Sequence, residues 1–213
     1  RVMIAFGLLS IITAALFILT QKDYKRLLAY SSIEHMGVIA VAFGVFSPLS
    51  LFAAFYHMIN HSITKSMLFL ASGNILQKYG TRDIGGIRSL LRVIPATGAA
   101  FLLGLFAISG TPPFGIFASE FNVMAAIFNE GRYLLGAVFI MMLAFIFAGI
   151  AVALFRIFHE ADASEYATEN TANIPGTASI LILLAFALAL GIHMPPAMKH
   201  LITNAGLIIG GGI

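Results

Sequence analysis

The chain has 213 residues, of which 60% are hydrophobic and only 10% are charged, and this composition indicates a membrane protein rather than a soluble domain. The net charge of +3 comes from basic residues gathered at segment ends, without the contiguous basic stripe that a nucleic-acid partner requires. The chain has no cysteine, which excludes cysteine-ligated iron–sulfur clusters and haem thiolates, and we expect it to hold no cofactor.

Hydropathy predicts an all-α bundle of about six transmembrane helices, because a bilayer core of about 30 Å needs about 20 helical residues. The fourth segment is interrupted by the sequence GTPPFG, and each half is too short to cross alone, so we expect one crossing made of two half-helices. In chain order the predicted crossings are residues 2–21, 27–46, 49–76, 93–128, 133–158 and 175–198.

The hydropathy pattern divides the chain into two parts. Residues 1–160 are predicted to form a transmembrane unit, and residues 161–213 a short polar loop and a terminal transmembrane helix. The main polar link is the acidic stretch 160–173. Since Arg1 leads directly into apolar sequence without a signal-peptide pattern, we expect the chain to belong to a longer protein.

His57, His61 and Lys65 lie inside the third segment at positions i, i+4 and i+8, so a helix places them along one face. Ionisable groups at membrane depth are costly and usually face a protein interior or a water-filled path. Imidazole can donate and accept a proton near neutral pH. The row therefore predicts a proton relay, in which the two histidines are joined directly or through a water.

Two other interpretations of this row remain. Histidines at i and i+4 can share a zinc ion, but no acidic or cysteine partner lies nearby in sequence, and we expect no metal. Alternatively, the polar side chains only hold neighbouring helices together.

Glu120 follows the interruption by five residues. Unwound backbone at membrane depth is tolerated only beside protein or a water-filled cavity, and such breaks mark ion sites in transporters. We therefore expect non-helical backbone at residues 110–114 and a Glu120 side chain that faces inward. The alternative is a simple proline kink, with Glu120 reaching the interface.

Three further polar positions lie in or before the second segment. Lys25 stands at its entrance, where a basic residue is ordinary in a membrane protein. Glu34 and His35 are adjacent, so they point about 100° apart on a helix. We expect one of the two to face the relay and the other to meet a neighbouring subunit.

The sequence DYKRLLAYSS followed by HMG, the H-x-x-x-H-x-x-x-K row, KSMLFLASG, and GTPPFG leading to SEF resemble the antiporter-like membrane subunits of respiratory complex I. Within that superfamily, IEHMG and FASEF are most similar to the hydrogenase-4 component F type of group 4 membrane-bound hydrogenases and formate hydrogenlyases. The resemblance covers about residues 1–160. It implies the second inverted repeat of the antiporter-like fold.

The resemblance also implies the functional residues. Proton translocation would use Lys25, His57, His61, Lys65 and Glu120, with Glu34 and His35 as accessory positions, and no residue of this chain would be catalytic, cofactor-binding or metal-binding. We expect one row running from Lys25 through the histidine and lysine face to Glu120, in steps of about 10 Å or less, because charge coupling decays quickly with distance.

The function implied is that of a proton-translocating subunit of a redox-driven respiratory or hydrogenase complex, without a catalytic site of its own. The alternatives are a subunit of a multi-subunit sodium/proton antiporter, or a membrane anchor that transports nothing. Expected partners are the lipid bilayer, protons or Na⁺, and other membrane subunits of such a complex, and not nucleic acid. The expected location is a bacterial or archaeal cytoplasmic membrane.

Overall fold

A computed structural model describes residues 1–158 and 176–211 of the chain, and every regular element in these ranges is a helix. This confirms the all-α prediction. A short 3₁₀ turn, Ile84–Gly86, precedes α4. The described α-helices are α1 (Val2–Ile18), α2 (Tyr24–Val45), α3 (Pro48–Tyr79), α4 (Leu90–Val93), α5 (Pro95–Ile108), α6 (Gly115–Asn129), α7 (Tyr133–Phe158), α8 (Thr177–Ile192) and α9 (Pro196–Ile209).

The starts of α2 and α3 are encoded by side chains that satisfy the free N–H groups of a first helical turn. The Asp23 carboxylate accepts hydrogen bonds from the backbone N–H groups of Lys25 and Arg26. Ser47 and Ser50 form a reciprocal capping box, and Pro48 occupies the first turn. These caps fix where α2 and α3, which carry most of the candidate residues, begin.

Helix α3 lies at the centre of the bundle and is bonded to three neighbours. The Tyr24 hydroxyl of α2 donates to the Ser72 carbonyl at 3.2 Å, and the Asn74 amide donates to Thr97 of α5 at 3.2 Å. The Tyr56 hydroxyl donates to the Leu190 carbonyl of α8 at 2.7 Å. These bonds hold the row at 57, 61 and 65 inside the protein.

Helices α1 and α2 approach closely at two glycines. A Cβ atom on Gly7 would lie 2.7 Å from the Gly37 carbonyl oxygen, and a Cβ on Gly37 would lie 2.7 Å from the Gly7 carbonyl oxygen. Small residues permit such backbone approach between membrane helices. The contact fixes α2, and hence Glu34 and His35, against α1.

Replacing Gly7 by alanine should therefore destabilise the protein by about 1–3 kcal/mol, since the added methyl group has no room. The matched control is Gly73→Ala on α3, where a Cβ meets no atom within 4 Å. That change should be neutral or stabilising, because alanine is the better helix former. Thermal unfolding in detergent measures both variants, and equal midpoints would contradict the close α1–α2 contact.

The interruption of the fourth segment is confirmed. Helix α5 ends at Ile108 and α6 begins at Gly115, with non-helical backbone between them. The freed groups bond locally: the Thr111 N–H and hydroxyl both donate to the Phe106 carbonyl, and the Phe114 N–H donates to Thr111. Unwound backbone at this point is thus satisfied within the protein, as membrane depth requires.

The sixth predicted segment, residues 175–198, was wrong as one continuous helix. Helix α8 ends at Ile192, and α9 starts at Pro196, with a bend of 74° between them. The physical cause is the Pro195–Pro196 pair, because proline lacks the N–H and clashes with the preceding turn of a continuing helix. His193, in the break, is exposed.

Two of the described helices, α2 and α7, are long and apolar enough to cross a membrane, and α8 and α9 qualify together as a bent pair. Helices α1 and α5 are shorter apolar helices. The number of six crossings therefore stays a prediction, although α7 has the predicted bounds. The acidic stretch 160–173 and the division of the chain at residue 160 lie outside the described residues.

Candidate functional site

A cluster of buried polar side chains fills the space where α2, α3 and α6 meet. None of its members is more than 8% exposed. They come from three helices that pack on one another, so the cluster is assembled by the fold and not by one motif. Its members are Ser31, Glu34 and His35 on α2, His57, His61 and Lys65 on α3, and Ser119 and Glu120 on α6.

The ring orientation of His57 is set by Ser119. The Ser119 hydroxyl donates its hydrogen to the Ile116 carbonyl at 2.8 Å, so its oxygen is left to accept from His57 Nδ1–H, also at 2.8 Å. Neutral His57 therefore carries its proton on Nδ1 and has a free lone pair on Nε2. That lone pair faces α2.

His35 meets this lone pair and is the centre of the cluster. Its Nδ1 lies 3.0 Å from His57 Nε2 and 3.7 Å from Glu120 Oε1, so it contacts both α3 and α6. Two bare lone pairs at 3.0 Å repel, so a proton or another cation must lie between the two rings. In the simplest arrangement, His35 Nδ1–H donates to His57.

Glu34 lies on the other side of the same ring. Its Oε2 is 3.2 Å from His35 Nε2, and neither Glu34 oxygen has a hydrogen-bond donor among the described residues. If His35 is neutral with its proton on Nδ1, this contact also needs a proton, which either a protonated Glu34 or an imidazolium supplies. The pair Glu34–His35 is thus a place where a proton can be held on either partner.

The expectation that Glu34 and His35 face different surroundings was wrong, because both are buried and they touch each other. The two Cα–Cβ directions do diverge along α2, but α2 is covered on several sides by α1, α3 and α6. A carboxylate is long enough to fold back onto the neighbouring ring. Both residues belong to the same cluster.

Lys65 is the cationic end of the cluster. Its Nζ donates to the Leu28 carbonyl and to the Ser31 hydroxyl of α2, and it also lies 5.9 Å from the Phe69 ring centre. Lys65 interacts electrostatically with Glu34. A buried ammonium is thus coupled to a buried carboxyl, without a direct ion pair that would lock both charges.

Glu120 is buried and faces inward, as predicted. Its carboxylate lies against Gly110, which has a φ of 70°, and a Cβ at Gly110 would overlap the carboxylate oxygen. Glycine is therefore required there both for the backbone conformation and for space. On its other side, Glu120 lines an open cavity of about 280 Å³ between the break and α7.

His57 and His61 were predicted to be joined directly or through a water, and the described residues show no direct hydrogen bond between them. Their rings are parallel with centres 6.4 Å apart, which is the spacing of one helical turn and too far for a nitrogen–nitrogen bond. His35 fills the gap, with ring centres 5.0 Å from His57 and 4.8 Å from His61. His61 Nδ1 has no hydrogen-bond partner in the described structure.

Lys25 is half-buried at the first turn of α2, and within the described residues its side chain makes no hydrogen bond or ion pair. Lys65 reaches α2 at Leu28 and Ser31, one and two turns further along. Lys25 therefore lies on the helix that carries the cluster but is not joined to it by contact, and its place in the row stays a prediction.

Ser31 and Ser119 were not singled out as functional from the sequence. Serine is common in membrane helices, where its hydroxyl usually bonds the preceding turn, as both of these hydroxyls do. The role of each serine in the cluster is shown only by a second contact of its oxygen, which joins two helices. Ser31 accepts from Lys65, and Ser119 bonds His57.

Curated relatives resemble parts of this chain. The hydrogenase-4 component F homolog of Methylacidiphilum infernorum is 45% identical over 130 residues, which cover 61% of this chain and 27% of the relative. Hydrogenase-4 component B of Escherichia coli is 33% identical over 206 residues, covering 86% of this chain and 30% of the relative. The chain thus spans less than a third of the length of these two proteins.

A solved structure also resembles this chain. A chain of the membrane-bound sulfane sulfur reductase, an archaeal respiratory membrane complex, superposes with a TM-score of 0.84 at 30% identity. The match covers 98% of this chain and 42% of that one. Residues 1–150 match the family described as NADH:quinone oxidoreductase/Mrp antiporter, TM, which is a transmembrane family. The chain is therefore an integral membrane protein that belongs to the NADH:quinone oxidoreductase/Mrp antiporter transmembrane family.

Proposed function

We propose that this chain conducts protons through the buried cluster, as part of a membrane subunit of a redox-driven respiratory or hydrogenase complex. The observation that carries the proposal is the arrangement around His35. This one ring contacts His57, Glu120 and Glu34 and thereby joins three helices. Each of these partners can give or take a proton.

The contacts support an ordered path. A proton held by Glu120 beside the cavity can pass to His35 Nδ1, 3.7 Å from Glu120 Oε1, when the His35–His57 hydrogen bond opens and the carboxyl approaches, while His35 releases a proton from Nε2. From His35, Glu34 is the next acceptor at 3.2 Å. Lys65 completes the row through its electrostatic interaction with Glu34. The outer end, at Lys25, stays part of the proposal without a contact that supports it.

Electrostatic interaction between the buried ionisable groups can drive proton movement along the cluster. Two unit charges about 8 Å apart interact by about 2 kcal/mol at an effective dielectric constant of about 20, which changes an equilibrium more than tenfold. Glu34 interacts electrostatically with both Glu120 and Lys65. A charge change at one end of the cluster can therefore shift protonation at the other end without moving a helix.

Relatives in the family support the proposal that this chain works within a redox-driven membrane complex. Two of those described above are named for hydrogenase-4, and the structural relative belongs to a respiratory complex. We therefore propose that redox chemistry resides in partner subunits, that this chain itself holds no redox cofactor, and that the complex lies in a prokaryotic cytoplasmic membrane. An anchor without transport has no use for so many buried ionisable groups.

Ion flux in sealed vesicles that contain the complete complex tests this function. Driven by its electron donor, the complex should acidify the vesicles at the same rate in Na⁺-free choline buffer and in Na⁺ buffer. The same vesicles without donor, given only a Na⁺ gradient, should show no proton movement. Proton movement that requires Na⁺ and no electron donor would support the sodium/proton antiporter instead, and redox turnover without any proton movement would support the anchor.

A further inference from the structure

The contact between His35 and His57 has a second chemical interpretation. Two imidazole nitrogens face each other at 3.0 Å, and a carboxylate oxygen lies 3.7 Å from one of them. The three atoms all lie within 4.8 Å of one another. Such a set can enclose a cation as well as a proton.

We propose that His35 Nδ1, His57 Nε2 and the Glu120 carboxylate form a binding site for a divalent transition-metal cation of the zinc class. Two imidazoles and one carboxylate are a known zinc donor set, completed by a water or another small ligand. In tetrahedral zinc sites, bond lengths of about 2.0–2.2 Å place neighbouring donor atoms roughly 3.4 Å apart. Two of the three observed spacings, 3.0 and 3.7 Å, bracket that value, and the third, between His57 and Glu120, is within 4.8 Å.

The outer nitrogens of both rings already face the oxygen atoms that a metal site needs. Metal-ligating histidines usually donate the other ring N–H to a carboxylate, a carbonyl or a similar oxygen. His57 Nδ1–H donates to Ser119 at 2.8 Å. His35 Nε2 lies 3.2 Å from Glu34 Oε2.

Metal binding would also resolve an unsatisfied contact. Glu34 Oε2 and His35 Nε2 are both buried without a hydrogen-bond partner among the described residues. With a cation on Nδ1, His35 carries its proton on Nε2 and donates it to the Glu34 carboxylate. Glu34 Oε2 and His35 Nε2, which have no proton between them when His35 carries its proton on Nδ1 and Glu34 is ionised, are then paired.

The proposed site is accessible from a cavity, and its donor atoms favour particular metal ions. Glu120 lines the open cavity of about 280 Å³, whose other walls are mostly apolar, so its carboxylate is reached from one side without displacing α2 or α3. Imidazole nitrogen favours zinc and its neighbours in the transition series, whereas Na⁺, Mg²⁺ and Ca²⁺ prefer oxygen ligands. The cation and the His35–His57 hydrogen bond exclude each other, since both use the same lone pair.

Zinc binding to the purified complete complex tests the proposal. After equilibration with zinc chloride and removal of loose metal with a weak chelator, metal content is measured by mass spectrometry. His35→Gln and Glu120→Gln should each lose one zinc per complex relative to the wild type. The matched control is His200→Gln, which removes an exposed histidine of α9 and should keep the wild-type content. Equal zinc content in all four proteins would overturn the proposal.

A second measurement uses the wild-type complex and therefore tests the site even if the variants do not fold. X-ray absorption at the zinc edge of the wild-type complex should show two imidazoles and additional oxygen ligands around the metal, and fewer than two imidazoles would contradict the site. Ser119→Ala, which keeps all three ligands and removes only the partner of His57, should weaken zinc affinity about 10- to 100-fold. Unchanged affinity in that variant would contradict the proposed orientation of His57.

Inhibition of proton movement by zinc rests on the proposed function, whereas binding does not. Zinc that binds with the predicted ligands but leaves proton movement unchanged would refute the proton path and leave the metal site standing. Zinc should block proton movement in the wild type, whereas redox turnover of the partner arm, measured without a proton gradient, should continue in the presence of zinc.

Discussion

Replacing Lys65 by alanine is expected to abolish proton translocation by this subunit while leaving assembly of the complex largely intact. The ammonium is the buried cation of the cluster, and its removal ends the electrostatic interaction with Glu34. Without that charge, the Glu34 carboxyl loses the buried cation with which it interacts. Initial rates of acidification in sealed vesicles, normalised to the amount of assembled complex, measure the effect.

Two further variants separate a proton carrier from a structural cation. Lys65→Arg keeps the positive charge, but a guanidinium cannot release its proton, so translocation should again be lost. Lys22→Ala removes an exposed lysine just before α2 and should leave the rate unchanged. Normal pumping in a well-assembled Lys65→Ala variant would return the cluster to a merely structural role, and normal pumping with arginine would show that only the charge is needed.

The Glu120→Gln variant should lower the proton translocation rate by about tenfold or more, because an amide matches the carboxyl in shape but cannot exchange a proton. Glu120 both lines the cavity and faces His35, so the amide would remove the entry contact of the proposed path. The control is Glu130→Gln at the end of α6, where the side chain is exposed. The same assay is used, and similar rates in both variants would exclude Glu120 from the path.

Local sequence patterns predicted much of this fold. Uninterrupted apolar runs gave the fifth crossing with its observed bounds, Tyr133–Phe158. The GTPPFG sequence located the break between α5 and α6, because glycine and paired prolines act on the backbone of their own segment. The same reasoning was not applied to Pro195–Pro196, and the bend between α8 and α9 was missed although its cause was visible.

The centre of the site was less predictable. Spacing along α3 placed His57, His61 and Lys65 on one face, but spacing carries no information about which residue of another helix fills the gap. His35 was ranked as accessory, yet it holds the contacts between α2, α3 and α6. Ser119 was quoted only within a motif, since its bond to His57 joins residues 62 positions apart.

Protons are expected to occupy and leave this cluster during turnover, with its members coupled to one another. Infrared difference spectroscopy of the complete complex, with and without electron donor, measures this directly in H₂O and D₂O. A carboxyl C=O band should appear on turnover, shift in D₂O, be lost in Glu120→Gln and be altered in Lys65→Ala. A spectrum without such a band, or a band that is unchanged in both variants, would show that the cluster does not exchange protons during turnover.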